Sequence, residues 1–305
     1  MNETPTASSS LLEIRNLAVE FDVDGRRVHA VRDMTYEVKP REFVALVGRS
    51  GSGKSVSLFS TLGLVNDPPG IVDGSITFDG EPILPDPAQF AFRSRGRTGI
   101  RSRSFQREHR RLLESILGRR IGLVLQDPYG SLVPHRTVME HLIENLHYNR
   151  PEWKELGFTR IAHKWLERVG FTDPGEVMGK LPGELSGGMC QRVMLAMVMS
   201  AEPSLILADE PTSALDATIQ LEVLELFARI NREEGVAILL VTHDIGVALR
   251  YASRVVVVSQ GSVVDQGEPE RFLAAGSDIS AEAKALIDAE HTLRASWSGA
   301  GRSRK

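Results

Sequence analysis

Eight consecutive residues, Gly48-Arg49-Ser50-Gly51-Ser52-Gly53-Lys54-Ser55, constrain the fold more than any other stretch of the chain. They fit G-x-x-x-x-G-K-[ST] and lie between the apolar strand-like run Phe43 to Val47 and the helix-like run Val56 to Leu64. Glycines let backbone N–H groups turn inward around a phosphate, and the helix that follows presents its positive end. Lys54 then reaches the terminal phosphates, and the Ser55 hydroxyl is a ligand for Mg²⁺. A glycine-rich turn with no ligand is the alternative, and the flanking strand and helix argue against it.

A second chemical element follows another apolar run. Leu205-Ile206-Leu207-Ala208 ends in Asp209-Glu210, as expected where a buried parallel strand delivers two carboxylates to its C-terminal edge. In that arrangement Asp209 holds Mg²⁺ through water and Glu210 polarises the attacking water, because phosphoryl transfer depends on placing the nucleophile and neutralising charge. For the pair taken alone, capping of the next helix is the lesser alternative.

Strand-like runs at Leu12 to Ile14, Phe43 to Val47, Ile121 to Leu125, Leu205 to Ala208, Ala237 to Val241 and Arg254 to Val258 alternate with helical patterns, which predicts an α/β fold. Val19 to Phe21, Val28 to Val31 and Met34 to Val38 read as short antiparallel strands around the turn Asp24-Gly25, so the sheet is mixed. Between Tyr129 and Leu185 the pattern turns helical: Ile161, Trp165 and Val169 fall four apart, and Ala162 and Leu166 widen the stripe. An inserted helical subdomain over about 129–185 follows, inside one domain spanning 11–275. Residues 1–10 are expected to be a disordered tail, and 276–305 a C-terminal extension whose Gly/Ser-rich, basic end from Ser296 is disordered.

Composition removes several classes. One cysteine, Cys190, excludes an internal disulfide and any multi-cysteine metal framework. A net charge of −4 gives no global pull toward nucleic acid, although eight arginines fall between Arg93 and Arg111. That segment is compatible with contact to acidic lipid or a partner, and with a solvated loop. No apolar run approaches the roughly 20 residues that cross a bilayer, so membrane association is expected through partners.

Five motifs then occur in one order: the phosphate loop, Gln126 in Leu125-Gln126-Asp127-Pro128, Leu185-Ser186-Gly187-Gly188-Met189, the acidic strand with Pro211-Thr212-Ser213-Ala214-Leu215-Asp216, and His243 in Val241-Thr242-His243-Asp244. Over about residues 11–270 the chain resembles the nucleotide-binding subunit of an ATP-binding cassette (ABC) transporter. The resemblance implies the P-loop NTPase cassette fold, with a mixed sheet, an antiparallel β-subdomain and the helical insertion. It also implies ATP and Mg²⁺ as cofactors and head-to-tail pairing of two cassettes. Ser186, Gly187 and Gly188 of one cassette then meet the γ-phosphate held by the other's loop, which in this chain comprises Gly48, Arg49, Ser50, Gly51, Ser52, Gly53, Lys54, Ser55 and Val56. Gln126 touches Mg²⁺, His243 steadies the γ-phosphate beside Glu210, and Asp216 crosses the interface. The residue chemistry agrees, since a serine caps a helix and two glycines permit close backbone approach. Phe21 is the candidate to stack on adenine, with His29 behind it.

Gly51 to Ser57, Gln126 to Leu132, and Leu185 to Met189 followed by Gln191-Arg192 resemble the oligopeptide, dipeptide and nickel importer branch. Such an importer implies two permease subunits, an external solute-binding protein and a second cassette, with a paralogous heterodimer expected ahead of a homodimer, at the cytoplasmic face of the membrane. No nucleic-acid partner is expected. Cys190 stands where the branch usually has Arg, Gly183 where it often has His, and the cysteine-rich C-terminal segment of some members is missing. The Cys190 thiol is either activated by its helix-start position or a small, semi-buried filler. A DNA-repair or translation ATPase and an exporter engine are the alternatives. Both are disfavoured, because the chain has no long heptad coil, no second cassette and no fused membrane domain.

Overall fold

The computed structural model describes residues 10–65, 67, 69–94, 97–100, 102–274 and 278–300. The expected tail 1–9 and the last five residues of the basic end, 301–305, lie outside these. The chain divides into two compact units. One is made of the stretch up to Leu113 together with the stretch from Leu240 onward, and the other of Glu114–Leu239.

The first unit opens with β1 (Leu12–Val23) and β2 (Arg26–Val38), paired antiparallel. Their hairpin turn is Asp24-Gly25, both at positive φ, 51° and 75°, as a tight two-residue turn requires. The expected short strands are therefore joined into two long ones. Register shifts between Ile14 and Leu17 and around Val19 absorb the breaks in pattern, and Asn16, at φ 49°, donates its N–H to Thr35 Oγ1 at 2.9 Å. β3 (Phe43–Val47), buried at every position, leads through the phosphate loop into α1 (Lys54–Thr61). β4 (Pro69–Phe78) and β5 (Glu81–Pro82) extend the antiparallel side. β6 (Ala91–Ser94) and β7 (Arg97–Ile100) form a separate hairpin, followed by α2 (Ser102–Leu113). The solvated-loop alternative for the arginine-rich stretch is corrected in this part: Phe105, His109 and Leu113, four apart, are buried on one side of α2 and hold it as a helix.

The second unit holds β8 (Ile121–Val124), α3 (Val138–Asn149), α4 (Phe158–Arg168), α5 (Pro174–Met178), α6 (Gly187–Ser200), β9 (Leu205–Asp209) and α7 (Ala217–Glu234). β8 and β9 run parallel, Val124 opposite Ala208, so Gln126 and Asp209-Glu210 leave neighbouring strands at the same edge. A Cβ on Gly122 would stand 2.3 Å from Val198 Cγ1, so α6 lies directly on β8. The predicted stripe packs inward: Ala162, Trp165, Leu166 and Val169 are buried, while Asn145 of α3 donates to Met197 O of α6 at 2.7 Å.

β10 (Ala237–Thr242) runs across the division between units. The first unit is then completed by α8 (Ile245–Tyr251), β11 (Arg254–Ser259), β12 (Ser262–Gly267), α9 (Pro269–Leu273) and α10 (Ala281–Ala300). Within it the strands lie in the order β5-β4-β1-β2-β12-β11-β3, with β11 parallel to β3 and antiparallel to β12. The mixed sheet is as expected. Arg254 of β11 is tied to the residue just before β3, donating to both oxygens of Glu42 at 2.7 and 3.0 Å. The expectation of disorder from Ser296 is corrected, because α10 continues to Ala300 on a run of strong helix formers that starts at Ala281. Among the described residues no helix is long and apolar enough to cross a membrane.

Candidate nucleotide site

The phosphate loop hangs from the end of β3 and is pinned from two sides. A Cβ on Gly48 would stand 2.2 Å from Val258 O of β11, and one on Gly53 would stand 2.5 Å from Ala30 O of β2. Gly53 also has φ +100°, a backbone that side chains rarely adopt, so both ends of the loop require glycine. The turn after β11 locks it further: Gly261 N–H donates to Ser52 O at 2.9 Å and Arg32 N–H to Gly261 O at 2.8 Å. This support from Gln260-Gly261 was missed in the sequence, where the only signal was a turn dipeptide between two strand-like runs.

Lys54 begins α1 and is buried, its amine donating to Gly48 O at 2.8 Å and Arg49 O at 3.0 Å. The cation therefore sits inside the loop. Ser52 Oγ is buried with no hydrogen-bond partner among the described residues. A buried hydroxyl without a partner costs free energy unless a ligand satisfies it, which fits a phosphate cradle. α1 is fixed behind the loop by a 2.9 Å hydrogen bond between Ser57 Oγ and Tyr36 Oη of β2. On the loop's outer side Arg49, Ser52, Gln260, Glu282 and Leu286 help to line a cavity of about 460 Å³, so α10 contributes a wall that the sequence did not suggest.

His243, exposed, follows β10 in this same unit, and Asp244 caps α8 by accepting from Val247 N–H at 3.0 Å. Phe21 is half-buried on β1 between Val28 of β2 and Pro69 of β4. His29 is exposed and its Nδ1 lies 3.3 Å from Glu20 Oε1.

The second unit carries the other candidates. Asp209 is buried at the end of β9. Glu210 comes next at φ +45°, held there by Ser213, whose N–H and hydroxyl donate to Glu210 O at 3.2 and 3.1 Å. A left-handed glutamate costs about 1 kcal/mol, and such strain gathers at functional positions. Gln126 is exposed beyond β8, where Asp127 caps the turn by accepting from Tyr129 and Gly130 N–H, both at 3.0 Å.

Ser186, also exposed, caps α6, its Oγ accepting from Met189 N–H at 3.3 Å. Packing leaves no room for a side chain at Gly188, where a Cβ would stand 2.4 Å from Ile219 Cγ2, and little at Gly187, where it would stand 3.1 Å from the tip of Leu215. Asp216 caps α7 by accepting from Thr218 and Ile219 N–H, both at 3.1 Å. Tyr129, which sequence reasoning passed over, donates to Leu185 O at 2.9 Å and so ties the turn after Gln126 to the start of α6. Cys190 is fully buried, 3.6 Å from Pro182 O, and burial pushes its thiol up to about 11. Of the two readings of this thiol, the inert filler is the one the structure supports.

A strand-loop-helix phosphate cradle, an acidic strand end and a second helix start prepared for an anion define an ATP-binding cassette. The ABC transporter family matches residues 31–213, and the chain belongs to it. It is 36% identical over 258 residues to the oligopeptide transport ATP-binding protein OppD of Bacillus subtilis, covering 84% of this chain and 66% of that protein. It is 34% identical over 259 residues to the dipeptide transport ATP-binding protein DppD of Escherichia coli, covering 85% and 72%. It is 36% identical over 257 residues to an OppD of Mycobacterium tuberculosis, of which it spans only 38%. Among solved structures, cbiO1 of Clostridium perfringens, part of the transporter complex cbiONQ, aligns with a TM-score of 0.68 at 26% identity, covering 94% of this chain and all of that one. The cassette MJ0796, solved as a dimer in a post-hydrolysis state bound to ADP and Pi, aligns at 0.62 and 23% identity over 85% of this chain and 98% of its own, which supports the fold.

Proposed function

We propose that the chain is the ATP-binding and ATP-hydrolysing subunit of a membrane importer that takes up peptides or related solutes. The observation that carries this reading is the start of α6, where exposed Ser186 caps a helix whose first two residues are glycines, the second of them with no room for a side chain. A protein that merely bound a nucleotide in its own loop has no use for a second anion-accepting helix start. In the proposed assembly Ser186, Gly187 and Gly188 complete the loop of a second cassette, with a paralogous partner preferred, and Asp216 lies along the seam. Relatives named as ATP-binding proteins of peptide transport support a partnership with permease subunits; the proposed assembly adds a pair of permeases, an external solute-binding protein and a place at the cytoplasmic face of the membrane.

The chemistry assigned here is hydrolysis of the bond between the β- and γ-phosphates. Backbone N–H groups of the loop and the Lys54 amine hold the phosphates, His243 steadies the γ-phosphate, and Phe21 stacks on adenine. Glu210 takes the proton of the attacking water as its oxygen bonds to phosphorus and ADP leaves. Ser55, Gln126 and Asp209 each offer an oxygen donor, the chemistry that suits Mg²⁺, and these residues would hold the ion, which would neutralise phosphate charge. Closure of the paired cassettes on ATP, passed on through α3 to α5, then drives the permeases, and hydrolysis resets them.

The test is Glu210→Gln in the assembled transporter. ATP binding is expected to persist while turnover falls about 100- to 1,000-fold, as for loss of a general base. Hydrolysis at the parental rate would remove Glu210 from the mechanism.

A further inference from the structure

One feature of the first unit has no part in ATP chemistry. Helix α2 is two-sided: Phe105, His109 and Leu113 are buried, whereas Arg103, Arg107 and Arg110, at spacings of four and three, are exposed on the other side. Arg111, also exposed, is paired with Glu108 at 2.6 Å. No acidic side chain among the described residues pairs with Arg103, Arg107 or Arg110, in a chain whose net charge is −4. Three like charges within two helical turns repel one another, and a helix keeps them there at a cost unless an anionic surface repays it.

We propose that this face of α2 docks on the anionic phospholipid headgroups of the membrane at which the transporter works. The inference rests on the importer reading for the presence of that membrane. Charge complementarity selects the occupant. Because Phe105, His109 and Leu113 are already used within the protein, the helix has no apolar side left to insert among acyl chains, and the contact is electrostatic, at headgroup level. The exposed side offers arginines and Ser104 but no aromatic ring on which a base could stack, which disfavours a single-stranded nucleic acid.

The mounting of α2 makes the contact useful. Phe105 meets Phe90 edge to face with centroids 5.6 Å apart. A Cβ on Gly63, two residues past the end of α1, would stand 3.0 Å from Leu113 Cδ1 and 3.5 Å from His109 Nδ1. The basic helix thus rests on the far end of the helix that begins with Lys54, and a headgroup contact would hold the phosphate-loop unit at a set distance from the membrane.

The full chain is sedimented with vesicles of phosphatidylcholine alone, or of phosphatidylcholine mixed with phosphatidylglycerol, at low and at high salt. Binding to the anionic vesicles only, abolished by salt, is expected. Each arginine contributes about fivefold, so Arg103→Gln/Arg107→Gln/Arg110→Gln should weaken binding roughly 100-fold, whereas the triple lysine variant should bind like the parent. Glutamine is a good helix former on an exposed face, and the basal ATP hydrolysis of both variants should be unchanged. Equal binding to both vesicle types, an unaltered triple glutamine variant, or capture of a DNA duplex in place of anionic vesicles would each overturn the proposal. Absence of vesicle binding with ATP hydrolysis intact overturns the docking alone, whereas failure of the Glu210→Gln test strikes the importer mechanism and leaves the vesicle result standing.

Discussion

Two buried residues that take no part in ATP chemistry make measurable claims. His109 is 3% exposed, and burial pushes its imidazole down from an ordinary value of 6.5 to about 4. Between those values the unfolded chain binds a proton that the folded chain refuses, so stability rises with pH through this window and is lost as pH falls. Lowering the pH from about 7 to about 5 should cost roughly 2 kcal/mol at this site, read as a falling urea midpoint, and His109→Gln should flatten the dependence. An equal slope in the variant would assign the loss to other groups. Cys190, with its thiol pushed up to about 11 by burial, should resist iodoacetamide in the folded protein and react promptly once the chain is unfolded. The thiol was half legible in the sequence, where a position behind a helix start allowed activation; what decides against it is packing under Pro182, a contact no local pattern discloses. His109 was harder to read, because a polar residue within a run of arginines gives no sign of burial except its spacing of four from Phe105 and Leu113.

Among the elements, legibility followed locality. The phosphate loop, the acidic strand end and the stripe on α4 were readable because each is set by residues within two turns or one strand of each other. The length of β1 and β2 was not, since it depends on Asn16 accepting a positive φ and on cross-strand partners that bridge the polar gaps. Helix α2 hid behind its arginines, although Phe105, His109 and Leu113 already stood at helical spacing. The glycines of α6 were read for close approach to phosphate, yet Gly188 also sets helix packing, its absent Cβ lying where Ile219 Cγ2 would be only 2.4 Å away. Gly188→Ala should therefore destabilise the fold by about 1–3 kcal/mol through overpacking against α7, and Ile219→Ala in the same chain should recover part of that loss. Purely additive effects in thermal melts of the two single variants and the double would refute the contact as the cause. Recovery of stability without recovery of ATP turnover is the expected pattern, because the proposed phosphate contact still needs the glycine.

For the whole molecule, the proposed pairing separates residues by which nucleotide they serve. In a pair with a different cassette, Lys54→Ala should weaken nucleotide at this chain's own loop. Ser186→Asp, which keeps a capping oxygen but adds a negative charge, should weaken nucleotide at the partner's loop instead. Photolabelling of the assembled pair with an azido-ATP distinguishes the two subunits, and loss of both labels from either variant would contradict the division. The order of the motifs was legible, but the strand order was not, because it depends on pairings across most of the chain. One such pairing bears on synthesis. Phe43 accepts from Ser253 and donates to it across 210 residues, and β3 lies parallel to β11 over Val44 to Val47. While the ribosome makes the intervening stretch, the strand that carries the phosphate loop lacks this neighbour, and its five apolar side chains are not yet fully covered. The nascent chain is then at its most sticky, and chaperone demand should end only once Val257 has emerged.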